Sequence, residues 1–271
     1  MPRTLLHLSP HPDDELAGMP ATLMALRDAG WRIVNLACGL GRPEQHAVRA
    51  AELEEACRRA GFDLLPCDPP LALSADDDLI AAEVSLVNLL ARVLPELSPS
   101  LVCAPSPHDG HHAHEVVGRA ARRALEAYSG PVPHLWLWGI WADLPFPTML
   151  VPFERPRLEE IQHAVAAHAS ELARLPIDRL LEVRAVLAAG VGEERVRGSG
   201  VASDPAVELA ELICEVALTP AGWQLGAPRR FTAEAPIAPP SDRPIGWWLG
   251  AESVHARLRR ETAQNVTAQR T

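Results

Sequence analysis

Between Thr4 and Trp141, short apolar runs alternate with longer stretches of helical periodicity, and this alternation constrains the fold more than any other feature of the chain. The runs cover residues 4–9, 32–38, 62–67, 101–104 and 134–141. Between them, Leu16, Met19, Leu23, Met24 and Leu26 mark a helix that Gly30 ends, and residues 44–60 mark a second that Gly61 closes. Two further helices are expected over 79–94 and 115–128, with the cluster Asp76-Asp77-Asp78 as cap and acidic first turn of the former. Strands alternating with helices of this length predict right-handed βαβ units, hence an α/β fold with a Rossmann-like, mostly parallel sheet flanked by helices. In a 3-2-1-4-5 strand order, strands one and four are neighbours at the switch point, where such sheets bind ligands.

Past residue 142 the pattern changes. Pro145-Phe146-Pro147 interrupts it, 148–153 reads as another strand, and 156–175 as one long helix. Residues 190–203, rich in Gly, Ser and charge, are expected to form a mobile loop. Val216-Ala217-Leu218 and Trp223-Gln224-Leu225 flank Thr-Pro-Ala-Gly as a hairpin, a Pro-rich tail runs from Ala235, and the last dozen residues are expected to fray. The expected division is a core over 1–175 and a less regular extension over 176–271 that packs on the same domain and helps wall a pocket. The net charge of −10 argues against nucleic-acid or anionic-membrane partners. Five cysteines without a C-x-x-C pair fit reduced thiols, and no long apolar run is free of Pro and charge. A soluble, cytoplasmic protein is the expectation; the oligomeric state is open.

Two segments concentrate metal-binding chemistry. His11-Pro12-Asp13-Asp14-Glu15 follows the first strand and opens the first helix. An N-cap explains one Asp there, but not an imidazole and three carboxylates together. Pro107-His108-Asp109-Gly110-His111-His112-Ala113-His114 follows the fourth strand and opens a helix in the same way. Facing each other across the switch point, the two loops supply two His and a carboxylate, a donor set suited to a catalytic Zn²⁺ or Fe²⁺ with open positions.

These segments resemble the LmbE/PIG-L family of zinc-dependent N-acetylglucosaminyl de-N-acetylases. His-Pro-Asp-Asp-Glu matches that family's first motif, and Gly110-His111-His112-Ala113-His114-Glu115-Val116-Val117-Gly118-Arg119-Ala120 aligns without a gap to G-H-P-D-H-x-x-[AV]-G-R-A. Arg49 to Ala56 matches R-x-x-E-L-x-x-A, and Ala167-His168-Ala169-Ser170-Glu171 approximates A-H-x-[ST]-Q. The resemblance implies Zn²⁺ held by His11, Asp14 and His114, with Asp13 as general base. It further implies His111 at the oxyanion or the leaving amine, and Arg49 in contact with substrate. His168 and Trp141 are further substrate-binding candidates, though a core role for His168 fits its helical spacing equally, and a surface ion pair with Glu52 is the plain reading of Arg49. There are two departures: Pro-Asp is His112-Ala113, so the carboxylate that would tune His111 is missing and Asp109 is a possible replacement; and Gln is Glu171.

Within the family the chain resembles most the glycopeptide-antibiotic (teicoplanin and A40926) pseudoaglycone deacetylases, implying a small-molecule glycoconjugate as partner. The aromatic residues Phe146, Trp223, Trp247 and Trp248 are the expected pocket walls for a bulky aglycone. Deacetylation of N-acetylglucosaminyl-inositol or -malate in low-molecular-weight thiol biosynthesis is the alternative substrate reading. A metal phosphoesterase and a non-catalytic sugar-binding module are alternatives of other classes. The former lacks an evident second carboxylate-rich site, and the latter leaves Asp13 without a purpose.

Overall fold

The structure, a computed structural model, describes residues 3–268, with only the backbone described for 262–268. Its elements are β1 (Thr4–Ser9), α1 (Asp14–Ala17), α2 (Pro20–Asp28), β2 (Arg32–Ala37), α3 (His46–Ala60), β3 (Asp63–Pro66) and α4 (Leu79–Leu97). Next come β4 (Leu101–Pro105), α5 (His112–Ala127), β5 (His134–Trp138), β6 (Met149–Phe153), α6 (Arg155–Val165), α7 (Ala169–Leu172) and α8 (Ile177–Arg197). The chain continues through β7 (Leu209–Thr219), β8 (Gly222–Gly226), β9 (Arg229–Arg230), β10 (Pro240–Pro244), α9 (Gly246–Leu249) and α10 (Val254–Ala268).

The five strands foreseen before residue 142 pair in parallel in the order β3-β2-β1-β4-β5, so β1 and β4 are neighbours as expected. β7 then adds antiparallel to β5 and, with β8, forms the expected hairpin; β10 extends that edge. The first half of β7 pairs with β6 instead, so this long strand joins two sheet segments. Side chains alternate across the sheet with the period of two that a pleated strand imposes. Leu6, Leu8, Val34, Leu36, Val102, Ala104, Leu135 and Leu137 face the core under α4 and α5. Leu5, Ile33, Ala37, Leu101, Cys103, Trp136 and Trp138 face the core under α2, α3 and α6. Asp78 caps α4 as expected, accepting from the backbone N–H of Ile80 and Ala81 at 3.2 and 3.0 Å. All five cysteines are free and buried, and among the described residues no helix is long and apolar enough to cross a membrane.

Four local expectations are corrected. The first helix is two pieces, because Pro20 cannot continue a helix and instead starts α2. The N-terminus of α2 is satisfied from β7: Glu211 accepts from the N–H of Ala21 and Thr22 at 2.7 and 2.9 Å. The long helix expected over 156–175 stops at Val165 and resumes as α7, since the intervening turn draws His168 into the interior. Residues 190–197 are not loop but the end of α8, where Gly192 lets the helix lie directly against Leu150 of β6. Strand five ends at Trp138, and residues 139–142 form a turn that reaches the site. The last dozen residues, expected to fray, continue α10 as far as Ala268, and residues 269–271 lie outside the described residues.

Candidate active site

The two His/Asp loops meet at the carboxyl ends of β1 and β4. After β1 the backbone turns sharply at Asp13, whose φ of 122° is a conformation that L residues rarely adopt. Two contacts hold that turn. The Asp14 carboxylate accepts from His11 N–H at 2.8 Å, and the Asp13 N–H donates to Glu15 Oε2 at 3.0 Å. Glu15 is fully buried and receives its other oxygen's bond from His168 Nε2 at 2.6 Å. After β4, Ser106 and Gly110 (φ 77°) fold the chain back to start α5. α5 approaches that turn closely at Gly118, where a Cβ would lie 2.5 Å from the carbonyl oxygen of Pro105.

His11, His111 and His114 present ring nitrogens within 4.8 Å of one another. Asp14 lies among them, with Oδ2 3.1 Å from His11 Nδ1 and Oδ1 3.4 Å from His114 Nε2. Asp109, completely buried, holds His114: Nδ1–H donates to Asp109 Oδ2 at 2.8 Å, which turns His114 Nε2 towards Asp14. Oδ1 of the same Asp109 gathers the N–H groups of Ile140, Trp141 and Ala142 at 2.7, 3.2 and 3.3 Å. The other side of that turn is clamped by Arg184, which donates to the carbonyls of Gly139 and Ile140. Asp109 therefore does not serve His111 as a replacement carboxylate: Nδ1 of His111 is buried without a hydrogen-bond partner, and its ring stacks on His112 and Trp141.

These contacts set the protonation states. Burial, the charges of Asp14 and Glu15 beside it, and that of Glu171 push the Asp13 carboxyl well above the usual carboxylate range. Burial acts on Asp14 in the same direction, but the charge of His114 and the hydrogen bond from His11 outweigh it and hold Asp14 well below that range. Burial works against a charged His114, yet Asp14 and Asp109 raise it to about 10. His111 is lowered to about 2 by burial and by the neighbouring His11 and His114 rings. Asp13 and Asp14, adjacent in sequence, are thus driven apart, the signature of two carboxylates with separate tasks.

A cleft of about 500 Å³ joins these groups to Arg49, Trp141, Glu171, Arg174, Ile177 and Leu180. It opens into a wider polar depression lined by Arg42, Gln45, Ser74 and His112. Arg49 and Glu52 do not pair with each other: Arg49 binds Glu171, and Glu52 accepts from Ser170 N–H at 2.9 Å. Glu171 also binds Arg174, so the carboxylate that departs from the family's Gln bridges two guanidinium groups. His168 is buried behind the loop, where it touches Glu15 instead of the cleft. Trp141 is 49% exposed at the cleft. The aromatic residues expected as pocket walls are elsewhere. Trp223 and Trp248 are buried in the core under α5, Phe146 packs against the same cluster, and Trp247 lies outside the cleft lining. The walls come instead from α8 and from the turn after β5; neither Arg184 nor Ile177 carries a local sequence signal that would single it out.

Glu15 favours the charged form of His168. Burial opposes this charge, but the adjacent carboxylate raises the imidazole above its ordinary 6.5. A raised folded-state value contributes stability that is complete below pH 6.5 and is lost as pH rises through the folded value. His168→Gln is therefore expected to unfold more easily than the wild type, with the difference in denaturation midpoint widest below pH 6.5 and narrowing above it. A difference independent of pH would show that the Glu15–His168 contact is a neutral hydrogen bond.

The site is one that three imidazoles, two ionisable carboxylates of opposite tendency and a restricted cleft define: a candidate hydrolytic metal centre at a switch point. Residues 6–125 match the model of the PIG-L family, GlcNAc-PI de-N-acetylase, a span covering both loops and ending within α5. No curated protein sequence matches the chain. Solved structures share the fold. The A40926 pseudoaglycone deacetylase Dbv21 is 18% identical with a TM-score of 0.60, over 77% of this chain and 95% of that one. The N,N'-diacetylchitobiose deacetylase from Pyrococcus horikoshii is 19% identical with a TM-score of 0.57, over 79% and 83%. GalB, a 4-carboxy-2-hydroxymuconate hydratase from Pseudomonas putida KT2440, is 16% identical with a TM-score of 0.57, over 79% and 96%. Deacetylases and a hydratase thus share this architecture, and the reaction has to be argued from the site.

Proposed function

We propose that the chain is a zinc-dependent deacetylase of the PIG-L type that removes acetyl from an N-acetylglucosaminyl group carried on a larger conjugate. The observation that carries this reading is the opposed pair Asp13 and Asp14 beside His11 and His114. The donor set fits a zinc ion. At metal–ligand distances of about 2.0–2.2 Å, tetrahedral neighbours stand roughly 3.3 Å apart; His11 Nδ1 stands 3.1 Å from one oxygen of Asp14 and His114 Nε2 3.4 Å from the other. His11, Asp14 and His114 would hold the ion, with Asp109 fixing the His114 tautomer. Bound there, zinc supplies Lewis acidity that polarises the acetamide carbonyl and acidifies water.

The chain's own groups do the rest. Asp13 takes the proton of the attacking water, and its raised affinity for protons suits both that step and delivery of a proton to the departing amine. The C–N bond breaks as the amine accepts that proton, leaving acetate and a free glucosamine. His111, neutral beside its imidazole neighbours, offers a ring N–H to the oxyanion instead of a proton to the amine. Arg49, fixed by Glu171 at the cleft wall, orients the sugar, and the face of Trp141 offers it a stacking surface.

The cleft is small, but its mouth widens, which favours a substrate whose aglycone lies outside the cleft. A glycopeptide-antibiotic pseudoaglycone is the favoured conjugate. The polar lining by Arg42, Gln45, Ser74 and His112 supports a second reading, a compact polar conjugate such as N-acetylglucosaminyl-inositol or -malate. Remote contacts can be used to orient the acetamide, so either conjugate is expected to show far higher kcat/KM than free N-acetylglucosamine. Acetate release followed for the three substrates separates the readings; equal values for all three would remove the aglycone from the recognition argument.

A further inference from the structure

α8 carries a concentration of apolar surface that the site does not use. One side of this helix is buried on β6 and β7 through Ala188, Ala189 and Val196. The opposite side exposes Val183 (64%), Val186 (49%), Leu187 (55%) and Val191 (36%), four of the twelve large exposed apolar residues among those described. At about 100° per residue, Arg179, Val183, Val186, Leu187, Gly190 and Glu194 fall within roughly 100° of arc, a narrow straight seam. Gly190 is a notch in it, since a Cβ there would meet nothing within 4 Å. The charged ends of the seam are not satisfied within the chain. The Arg179 side chain has no hydrogen bond or ion pair among the described residues, and the Glu194 carboxylate accepts only a long 3.3 Å bond from Gly200 N–H.

The order of these residues is self-complementary. About the point midway between Val186 and Leu187, Val186 is equidistant with Leu187, Val183 with Gly190, and Arg179 with Glu194. We propose that this face docks a second copy of the chain, antiparallel, about a two-fold axis at that point. Val183 then sits over the partner's Gly190 notch, Val186 meets the partner's Leu187, and Arg179 meets the partner's Glu194, every contact being made twice. An unrelated partner would have no need of opposite charges placed at equal distances from the centre of an apolar seam. From Arg179 to Glu194 the seam runs about 22 Å at 1.5 Å per residue, which is short for the roughly 800 Å² per partner of a standard interface. The dimer is accordingly expected to dissociate in the micromolar range. Ile177 and Leu180 on the same helix line the cleft, so pairing would brace one of its walls.

Sedimentation of the full chain from low to several hundred micromolar is expected to show a monomer–dimer equilibrium. Leu187→Glu, an exposed substitution that circular dichroism should show to be folded, is expected to abolish it. Arg179→Glu places like charges together at both ends and should weaken it about tenfold, and the swap Arg179→Glu with Glu194→Arg should restore it. Because the native thiols are buried, Leu187→Cys adds an accessible one beside the axis and is expected to cross-link under mild oxidation, whereas Val84→Cys on α4 should not. A chain that is monomeric at every concentration, or a dimer that Leu187→Glu leaves intact, overturns the proposal. Neither result depends on the reaction proposed above.

Discussion

Asp13→Asn is expected to keep the fold and bind zinc with unchanged stoichiometry, yet lose on the order of 10²–10⁴-fold in kcat, the usual worth of a general base. The amide is nearly isosteric and can keep the backbone turn, because the bond to Glu15 comes from the Asp13 N–H and not from its side chain. What disappears is a carboxylate whose affinity for protons is raised by burial and by Asp14 and Glu15. Asp14→Asn is expected to behave differently. Its carboxylate holds His11 through both ring and backbone and stands 3.4 Å from His114, so its loss should appear first as weakened metal binding. The measurement is kcat alongside zinc content by elemental analysis for both variants. If the phenotypes were exchanged, the assignments of base and ligand would be reversed.

His114→Ala is expected to lose zinc and activity together. The ring is 1% exposed and buried between Asp14 and Asp109, which hold its two nitrogens at 3.4 and 2.8 Å. His111→Ala provides the comparison, because His11, His111 and His114 also form a compact donor set. With Asp14 as the third ligand, His111→Ala should retain stoichiometric zinc and lose only rate, of the order of 10²–10³-fold for one lost oxyanion donor. Zinc lost in His111→Ala and retained in Asp14→Asn would assign the ion to the three imidazoles instead.

The parts of the fold that were legible in the sequence are those set by local periodicity. The parallel order around β1 followed from alternating strands and helices, and the two loops announced themselves because His and Asp are rarely so dense at matching strand ends. Other features depend on chain-distant partners. Whether residues 166–168 continue a helix is decided by Glu15, more than 150 positions away, which draws His168 inward. The end of α8 carries Gly192 because it packs closely on Leu150, and composition alone cannot separate that from a mobile loop. Trp223 and Trp248 would have the same sequence signature in a pocket wall as in the core where they lie. Asp109 was visible as a carboxylate near the site, but its partner was not. The turn at residues 106–110 aims it at His114 and the amides after β5, leaving His111 without it.

The proposed deacetylation places its metal ligands, its base and its oxyanion donor on these two loops. Its most direct test is acetate release from an N-acetylglucosaminyl conjugate by protein stripped with a chelator, then titrated with zinc. Activity is expected to vanish on stripping and to return in proportion to zinc up to one equivalent per chain, while Asp13→Asn binds the same equivalent without recovering the rate. Acetate release that persists undiminished in the stripped protein, or zinc-replete protein that releases none from any conjugate, would contradict the account.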